Sequence, residues 1–160
     1  MDSVYIETSV VSYLVSRPSR DLVVAAHQQL TREWWEARRP LFACFVSAFV
    51  LDEASGGDPG AAASRLKMLE GSPRLAATPE AARLAGMFLR EVLPPKAAGD
   101  AAHLAMATVA GAKYLLTWNC NHLANAELLD RLEPIAAAAG YRLPRVCTPE
   151  ELMGVTHDDR

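Results

Sequence analysis

The sequence has few cysteines, no long apolar run and no basic leader, and each absence excludes a class of protein. Its three cysteines stand apart, without the CxxC spacing of a zinc site, and their odd number does not make a disulfide framework. This usage favours a reducing compartment. No apolar stretch approaches the roughly 18 residues that a membrane-spanning helix needs, and Met1-Asp2 is not the start of a basic signal peptide. We therefore expect a cytoplasmic protein.

Glycine motifs for nucleotide binding are also missing. A dinucleotide-binding fold needs GxGxxG after its first strand, whereas the stretch ETSVVS at residues 7–12 contains no glycine. The same absence excludes a phosphate-binding P-loop at this point. The net charge of −3 argues against a protein that coats nucleic acid by bulk attraction, although it leaves room for a local basic surface.

The chain does contain enough apolar sequence for one folded domain. Of its 160 residues, 51% are hydrophobic and 22% are charged. These proportions are typical of a globular domain with a sizeable core. We predict a single domain over residues 1–155, followed by a frayed tail over residues 156–160.

Strand-like runs alternate with helical patterns along this domain. Short runs typical of strands occur at residues 4–6, 41–45, 113–118 and 142–146, the last an edge strand because Pro144 cannot donate to an interior ladder. Helical periods or helix-start signals occur at residues 10–15, where Thr8 or Ser9 can be the cap, and at 21–38, 48–55, 59–70, 79–93, 100–112 and 125–140. Such alternation predicts a parallel sheet covered by helices on both faces.

Polar residues stand where two of these strands end. Glu7 directly follows the first strand, and Asn119 and Asn121 follow the strand at 113–118. In an open parallel α/β sheet, sites form just beyond the carboxyl ends of the strands. We therefore expect both strand ends to open onto one edge of the sheet.

Two further carboxylates lie on predicted helices. Asp100 shares a helix face with Leu104, the face that should pack on the sheet, but it also suits an N-cap. Glu53 lies near a helix end, where the macrodipole disfavours a negative charge, and a solvated helix-end glutamate is the simpler interpretation. Asp52 fits the same apolar periodicity, so spacing alone does not choose between these two neighbours.

Together these segments resemble the PIN domain, and most closely the small bacterial VapC-like toxins of type II toxin–antitoxin systems. The resemblance spans roughly residues 3–147 and is carried by YIETSVVSYL, DEASGGDPGAAASRL and GDAAHLAMATVAGAKYLLTWNCNHLAN. It implies a three-layer α/β/α fold with a mainly parallel central sheet. It also implies an endoribonuclease toxin that hydrolyses RNA phosphodiester bonds with carboxylate-bound Mg²⁺ or Mn²⁺. The implied partners are an RNA substrate, a cognate antitoxin protein and a second copy of the chain.

The resemblance also implies the site residues. Glu7, Glu53 and Asp100 match the family's acidic, metal-binding positions, and Asn119 matches a further catalytic position. We expect the three carboxylates to converge at one end of the sheet, with Asn119 at the rim. The implied supporting residues are Thr8 or Ser9 for the family's hydroxyl, Asn121 and His122.

Two positions depart from the family pattern and leave alternatives open. The first acidic position is usually aspartate in the family but is Glu7 here. The position after the family's fourth strand is often aspartate, and it corresponds here to Asn119, which follows the strand predicted at 113–118. An amide oxygen can coordinate a hard cation but adds no charge. The alternative function is a catalytically weak or inactive PIN-fold module that binds RNA or antitoxin. A DNA-directed nuclease is less favoured, because no extra element to clamp a DNA flap is apparent.

Aromatic and imidazole side chains near the site have ordinary interpretations. His103 and His122 flank the proposed site, and packing or surface positions are the simpler interpretation for both. Trp118 is expected in the core or in a groove wall rather than stacked on a base. The adjacent Trp34 and Trp35 point in different directions on a helix, so one of them is expected to be exposed at a subunit surface.

Overall fold

A five-stranded parallel sheet lies at the centre of the computed structural model, which describes residues 1–155. Its strands are β1 (Ser3–Ile6), β2 (Ala43–Ser47), β3 (Arg74–Leu75), β4 (Tyr114–Leu116) and β5 (Arg145–Cys147). Across the sheet they lie in the order β3-β2-β1-β4-β5, and each strand runs parallel to its neighbours. The tail predicted over residues 156–160 lies outside the described residues.

Helices connect the strands and flank the sheet. Within residues 1–155 the α-helices are α1 (Thr8–Val15), α2 (Leu22–Glu33), α3 (Ala48–Ala54), α4 (Pro59–Leu69), α5 (Pro79–Glu91), α6 (Ala98–Val109) and α7 (Ala126–Ala138). None of these helices has the length and apolar character needed to cross a membrane. The predicted fold class, a three-layer α/β/α fold with a mainly parallel central sheet, is confirmed.

The central strand β1 is buried along most of its length, which explains its sequence. Val4 and Tyr5 are 0% exposed, and Ile6 is 1% exposed. A strand covered on both faces needs apolar side chains at successive positions rather than at alternate ones. The run VYI is therefore the middle of the sheet, and Glu7 stands immediately beyond it.

The alanine-rich helix α6 is buried along most of its length. Its sequence is AGDAAHLAMATV, and every residue from 103 to 108 is buried. Small side chains let a helix approach its neighbours closely, so the alanines suit a helix enclosed in the core. The helix predicted over 100–112 is present, although it begins at Ala98 and ends at Val109.

The helix predicted over residues 21–38 is α-helical only as far as Glu33. Over the next five residues the chain forms a π-helical turn, in which the Arg39 N–H donates to the Trp34 carbonyl. Pro40 has no N–H to donate and its ring blocks a continued α- or π-helix, so the π-helical turn ends at Arg38.

The strand predicted over residues 41–45 lies two residues later, as β2, because a 3₁₀ turn at Arg39–Leu41 precedes it. The Ser47 hydroxyl accepts from the Val50 N–H at 3.1 Å and caps α3. The two-residue strand β3 was not predicted, because so short a segment shows no period. The predicted edge strand is confirmed, since β5 begins directly after Pro144 at the edge of the sheet.

Trp34 and Trp35 differ in exposure, as expected, although neither is fully exposed. Trp34 is 0% exposed, and its ring lies 6.1 Å from that of Phe42, centroid to centroid. Trp35 is partly buried, with the Arg39 guanidinium 4.5 Å from its ring centroid.

Truncating a buried leucine of α6 should destabilise the protein far more than truncating an exposed one of α2. Leu104 is 0% exposed and Leu22 is 86% exposed. We expect Leu104→Ala to lower the free energy of unfolding by about 2–5 kcal/mol, through lost burial and a cavity. The matched Leu22→Ala change should stay within about 0.5 kcal/mol of the wild type. Urea denaturation measures both, and equal effects would contradict the burial of α6.

Candidate functional site

Polar side chains collect at the carboxyl ends of the neighbouring strands β1 and β4. Glu7 directly follows β1, and its N–H donates to the Leu116 carbonyl at the end of β4, at 3.0 Å. Thr117 directly follows β4, and its N–H donates to the Cys147 carbonyl of β5, at 3.0 Å. Parallel strands end at one edge of a sheet, so the first residues beyond them lie side by side.

Glu7 is a buried carboxylate, 6% exposed, held by three hydrogen bonds. Its Oε2 accepts from the Ser9 N–H at 3.0 Å, which makes Glu7 the N-cap of α1. Its Oε1 accepts from the Ser9 Oγ at 2.5 Å and from the Thr117 Oγ1 at 2.6 Å. The N-terminus of a helix also favours negative charge through its unpaired N–H groups. A glutamate follows the first strand here because local donors stabilise its charge.

Glu53 lies in the last turn of α3, with its side chain 38% exposed. Its Oε1 accepts from the Thr8 Oγ1 at 2.6 Å and from the His103 Nε2 at 2.5 Å. Burial raises the pKa of the Glu53 carboxyl, but the hydrogen bonds from His103 and Thr8 outweigh it and hold the pKa below its usual value. Glu53 is therefore hydrogen-bonded within the site, whereas the carboxylate of its exposed neighbour Asp52 has no hydrogen-bond partner within residues 1–155.

His103 belongs to this site, contrary to the simpler packing interpretation. It is 1% exposed, and its Nε2 also lies 3.9 Å from the Glu7 Oε2. Its Nδ1 lies 2.8 Å from the Tyr5 hydroxyl, which lies 2.8 Å from the Ser47 Oγ. Burial raises the pKa of the Tyr5 hydroxyl well above its usual value, so Tyr5 stays neutral. In the sequence, the position of His103 three residues after Asp100, on the same apolar helix face, could have indicated that it belongs to the site.

Glu7, Glu53 and His103 form a group whose donor set fits a divalent cation. Each offers one ligand atom, and these atoms lie within 4.8 Å of one another. Two carboxylates at this separation repel each other unless donors or a cation lie between them. Carboxylate oxygens suit Mg²⁺ and Mn²⁺, whereas imidazole is a softer ligand.

Asp100 lies in a neighbouring cluster and is not part of that three-residue group. Its Oδ1 accepts from the Asn119 Nδ2 at 2.9 Å, and its Oδ2 accepts from the His122 Nδ1 at 3.1 Å. Asp100 is also not the N-cap of α6, because that helix begins two residues earlier at Ala98. The structure thus joins Glu7 with Glu53, while the metal-binding role implied for Asp100 stays a prediction.

Asn119 uses its amide oxygen in a turn. Its Oδ1 accepts from the Asn121 N–H at 3.2 Å and from the His122 N–H at 3.0 Å. Its NH₂ group, rather than its oxygen, therefore faces Asp100. Such side-chain bonding to following N–H groups is typical of asparagine in turns. Asn121 is exposed, and its Nδ2 lies 3.4 Å from the His122 Nε2.

Thr117 and Ser9 connect the two clusters. The Thr117 Oγ1 donates to Glu7 and accepts from the Asn119 N–H at 2.9 Å. The Ser9 Oγ also donates to Glu7 and accepts from the Trp118 N–H at 2.8 Å. Thr117 was not among the predicted site residues, because the strand was predicted over residues 113–118 and β4 ends earlier, at Leu116.

Trp118 is buried beside the site, as expected for a core or groove-wall residue. It is 7% exposed, and its Nε1 donates to the Thr31 Oγ1 at 2.7 Å. His27 stacks on its ring at a centroid separation of 4.0 Å and an interplanar angle of 13°. The indole is thus fixed by α2.

Replacing Glu53 by glutamine should make the stability of the fold less sensitive to acid. Because the pKa of the Glu53 carboxyl lies below its usual 4.5, ionised Glu53 stabilises the folded state above that pH. This stabilisation is lost as the pH falls through the lowered pKa and the carboxylate is protonated. The loss of unfolding free energy between neutral and acidic pH, measured in urea, should be smaller in Glu53→Gln than in the wild type.

The matched control is Asp52→Asn, which removes the neighbouring exposed carboxylate. This variant should keep the pH dependence of the wild type. If Glu53→Gln also kept the pH dependence of the wild type, this result would contradict the hydrogen bonding of ionised Glu53.

Comparison with known proteins connects the fold to one solved complex. No family model matches the sequence, and no curated protein matches it. The fold is similar to a chain in the crystal structure of VapBC2 from Rickettsia felis bound to a DNA fragment from their promoter. The TM-score is 0.57 at 13% sequence identity, and the alignment covers 91% of this chain and 98% of that chain. At this identity the likeness concerns the fold alone, and it supports the PIN/VapC-like architecture.

Proposed function

We propose that this protein is a cytoplasmic endoribonuclease dependent on Mg²⁺ or Mn²⁺, the toxin of a toxin–antitoxin pair. The observation that carries the proposal is the pairing of Glu7 and Glu53 with His103 at the carboxyl edge of a PIN-like sheet. The carboxylate oxygens that Glu7 and Glu53 contribute to this group lie within 4.8 Å of each other, close enough to share one cation. Composition and the missing glycine motifs argue against the nucleotide-binding classes.

Glu7 and Glu53 are the proposed cation ligands, and hydrogen bonds prepare both. Glu7 is fixed by donors from Ser9 and Thr117, and Glu53 by donors from Thr8 and His103. A bound Mg²⁺ or Mn²⁺ supplies a Lewis acid for attack of water on a phosphodiester. Fixing the carboxylates in advance avoids their reorganisation when substrate arrives.

Asp100 is the third acidic residue of the proposed catalytic set. Its carboxylate is held in one orientation by Asn119 and His122. Gly99, the residue before Asp100, lies near Glu53. A methyl group added at Gly99 would lie 3.8 Å from the Glu53 Oε2. We propose that His122, which holds Asp100, and the exposed Asn121 contact RNA phosphate.

The alternative is a PIN-fold module that binds RNA or antitoxin with weak or no turnover. The geometry of Asn119 favours this alternative, because its oxygen is used in the turn and only its NH₂ group faces Asp100. The position therefore adds neither a fourth charge nor a free oxygen ligand. Cleavage of RNA by the purified protein separates the two functions.

An antitoxin protein is the proposed partner. The structurally similar chain comes from a complex named VapBC2, which is bound to promoter DNA. We extend from that protein to this one only the expectation of a cognate antitoxin that covers the acidic edge. We also propose a homodimer, although the buried Trp34 does not contribute to its surface.

Removing one acidic charge from the site should abolish metal-dependent RNA cleavage. We expect Glu53→Gln and Asp100→Asn each to lower the cleavage rate by roughly 100-fold or more, since even the partners of metal ligands contribute about 10–100-fold. The assay follows single-stranded RNA with Mn²⁺ or Mg²⁺ and with EDTA, and thermal melting verifies that each variant folds.

The control for this assay is Asp52→Asn, which should cleave like the wild type. Full activity of Asp100→Asn would remove Asp100 from the catalytic set. A wild-type protein that binds RNA or antitoxin but does not cleave with either metal would favour the binding module.

A further inference from the structure

His103 sits within the cation-binding group but is already engaged as a hydrogen-bond donor. Its Nε2 lies 2.5 Å from the Glu53 Oε1. An ionised carboxylate only accepts hydrogen bonds, so the Nε2 must carry the proton of this contact. A nitrogen that carries a proton has no lone pair for a metal ion. In this arrangement His103 serves Glu53 and is not a cation ligand.

The other imidazole nitrogen is fixed by a second buried contact. With the proton on Nε2, the Nδ1 of a neutral ring accepts, and the Tyr5 hydroxyl donates to it at 2.8 Å. The Tyr5 oxygen accepts in turn from the Ser47 hydroxyl at 2.8 Å, and the Ser47 oxygen accepts from the Val50 N–H. Each polar atom of this chain thus has a protein partner.

Burial makes this chain of contacts rigid. Tyr5 and Ser47 are 0% exposed and His103 is 1% exposed, so water does not compete for these hydrogen bonds. A buried polar group that loses its partner is strongly destabilised, which discourages alternative orientations of the ring. The three residues come from β1, β2 and α6, and the chain therefore spans the middle of the domain.

Glu53 needs such support more than Glu7 does. It lies at the end of a helix of only seven residues, and its side chain is 38% exposed against 8% for Glu7. Its Oε1 is engaged by both His103 and Thr8, while no donor within residues 1–155 contacts its Oε2. The Glu53 Oε2 is thus left free to bind a cation.

We propose that Ser47, Tyr5 and His103 form a positioning relay that holds Glu53 for the cation, and that His103 is not itself a cation ligand. This inference rests on the proposed function for the identity of the bound group. The direction of the hydrogen bonds is a property of the metal-free protein, and it is tested independently of the proposed function.

The tautomer of His103 tests the relay without any metal. In ¹⁵N-labelled protein at mildly alkaline pH, two-bond ¹H–¹⁵N correlations assign the ring proton to one nitrogen. We expect the proton on Nε2, with Nδ1 as an acceptor. Tyr5→Phe should shift the Nδ1 resonance by removing its donor. A proton on Nδ1 in the wild type would overturn the proposal.

Mn²⁺ binding tests whether the relay positions Glu53. Calorimetric titration should show affinity weakened by roughly tenfold or more in His103→Leu and by a few-fold in Tyr5→Phe, in line with losses at partners of metal ligands. His103→Gln keeps an N–H donor and should stay within about threefold of the wild type. The matched control is Tyr13→Phe, because the Tyr13 hydroxyl makes no hydrogen bond within residues 1–155 and this variant should bind like the wild type.

Pulsed electron paramagnetic resonance of bound Mn²⁺ separates positioning from ligation. We expect no directly coordinated nitrogen in the wild type, whereas a strong ¹⁴N coupling that disappears in His103→Gln would overturn the proposal. Unchanged Mn²⁺ affinity in a folded Tyr5→Phe and a folded His103→Leu would also overturn it. If the wild type binds no Mn²⁺, the proposed function fails instead, and the tautomer alone decides whether the relay exists.

Discussion

The buried carboxylate of Glu7 is the group around which the end of the sheet is organised. A charge that is 6% exposed is tolerated only where hydrogen-bond donors replace water. Ser9 supplies a hydroxyl and an N–H, and Thr117 supplies a second hydroxyl. These donors come from the start of α1 and the end of β4, so both elements have to meet at the carboxylate. The same contacts connect the site to the central strand.

A second carboxylate beside Glu7 imposes a further constraint. Glu53 repels Glu7, and the donors Thr8 and His103 offset part of this repulsion. The buried contact between His103 and Tyr5 then links the glutamates to the core. The site therefore depends on the sheet for its shape. A change in the core, such as loss of the Tyr5 hydroxyl, is expected to affect the site at the carboxyl edge of the sheet.

Much of the fold could be predicted from periodicity, but the partners of the polar side chains could not. The apolar run at β1 and the alternation of strands with helices led to the parallel sheet, because each depends on nearby residues. The π-helical turn at the end of the helix predicted over residues 21–38 could not be predicted, since a repeat of 3.6 residues no longer applies there. The acidic residues were identified through a family resemblance, yet the contacts of Asp100 with Asn119 and His122 join segments about twenty residues apart in sequence.

The sequence by itself determined the fold class, the position of Glu7 beyond the first strand and the presence of Glu53 and Asp100 on helices. These features follow from local patterns of burial and from chain order. Only the tertiary structure decided that His103 contacts Glu53, that Asp100 is held in a separate cluster and that Asn119 uses its oxygen in a turn. Hydrogen-bond partners from different elements are chosen by distance and direction in space, which spacing along the chain does not specify. The contact between His103 and Glu53 spans fifty positions, so packing alone brings them together.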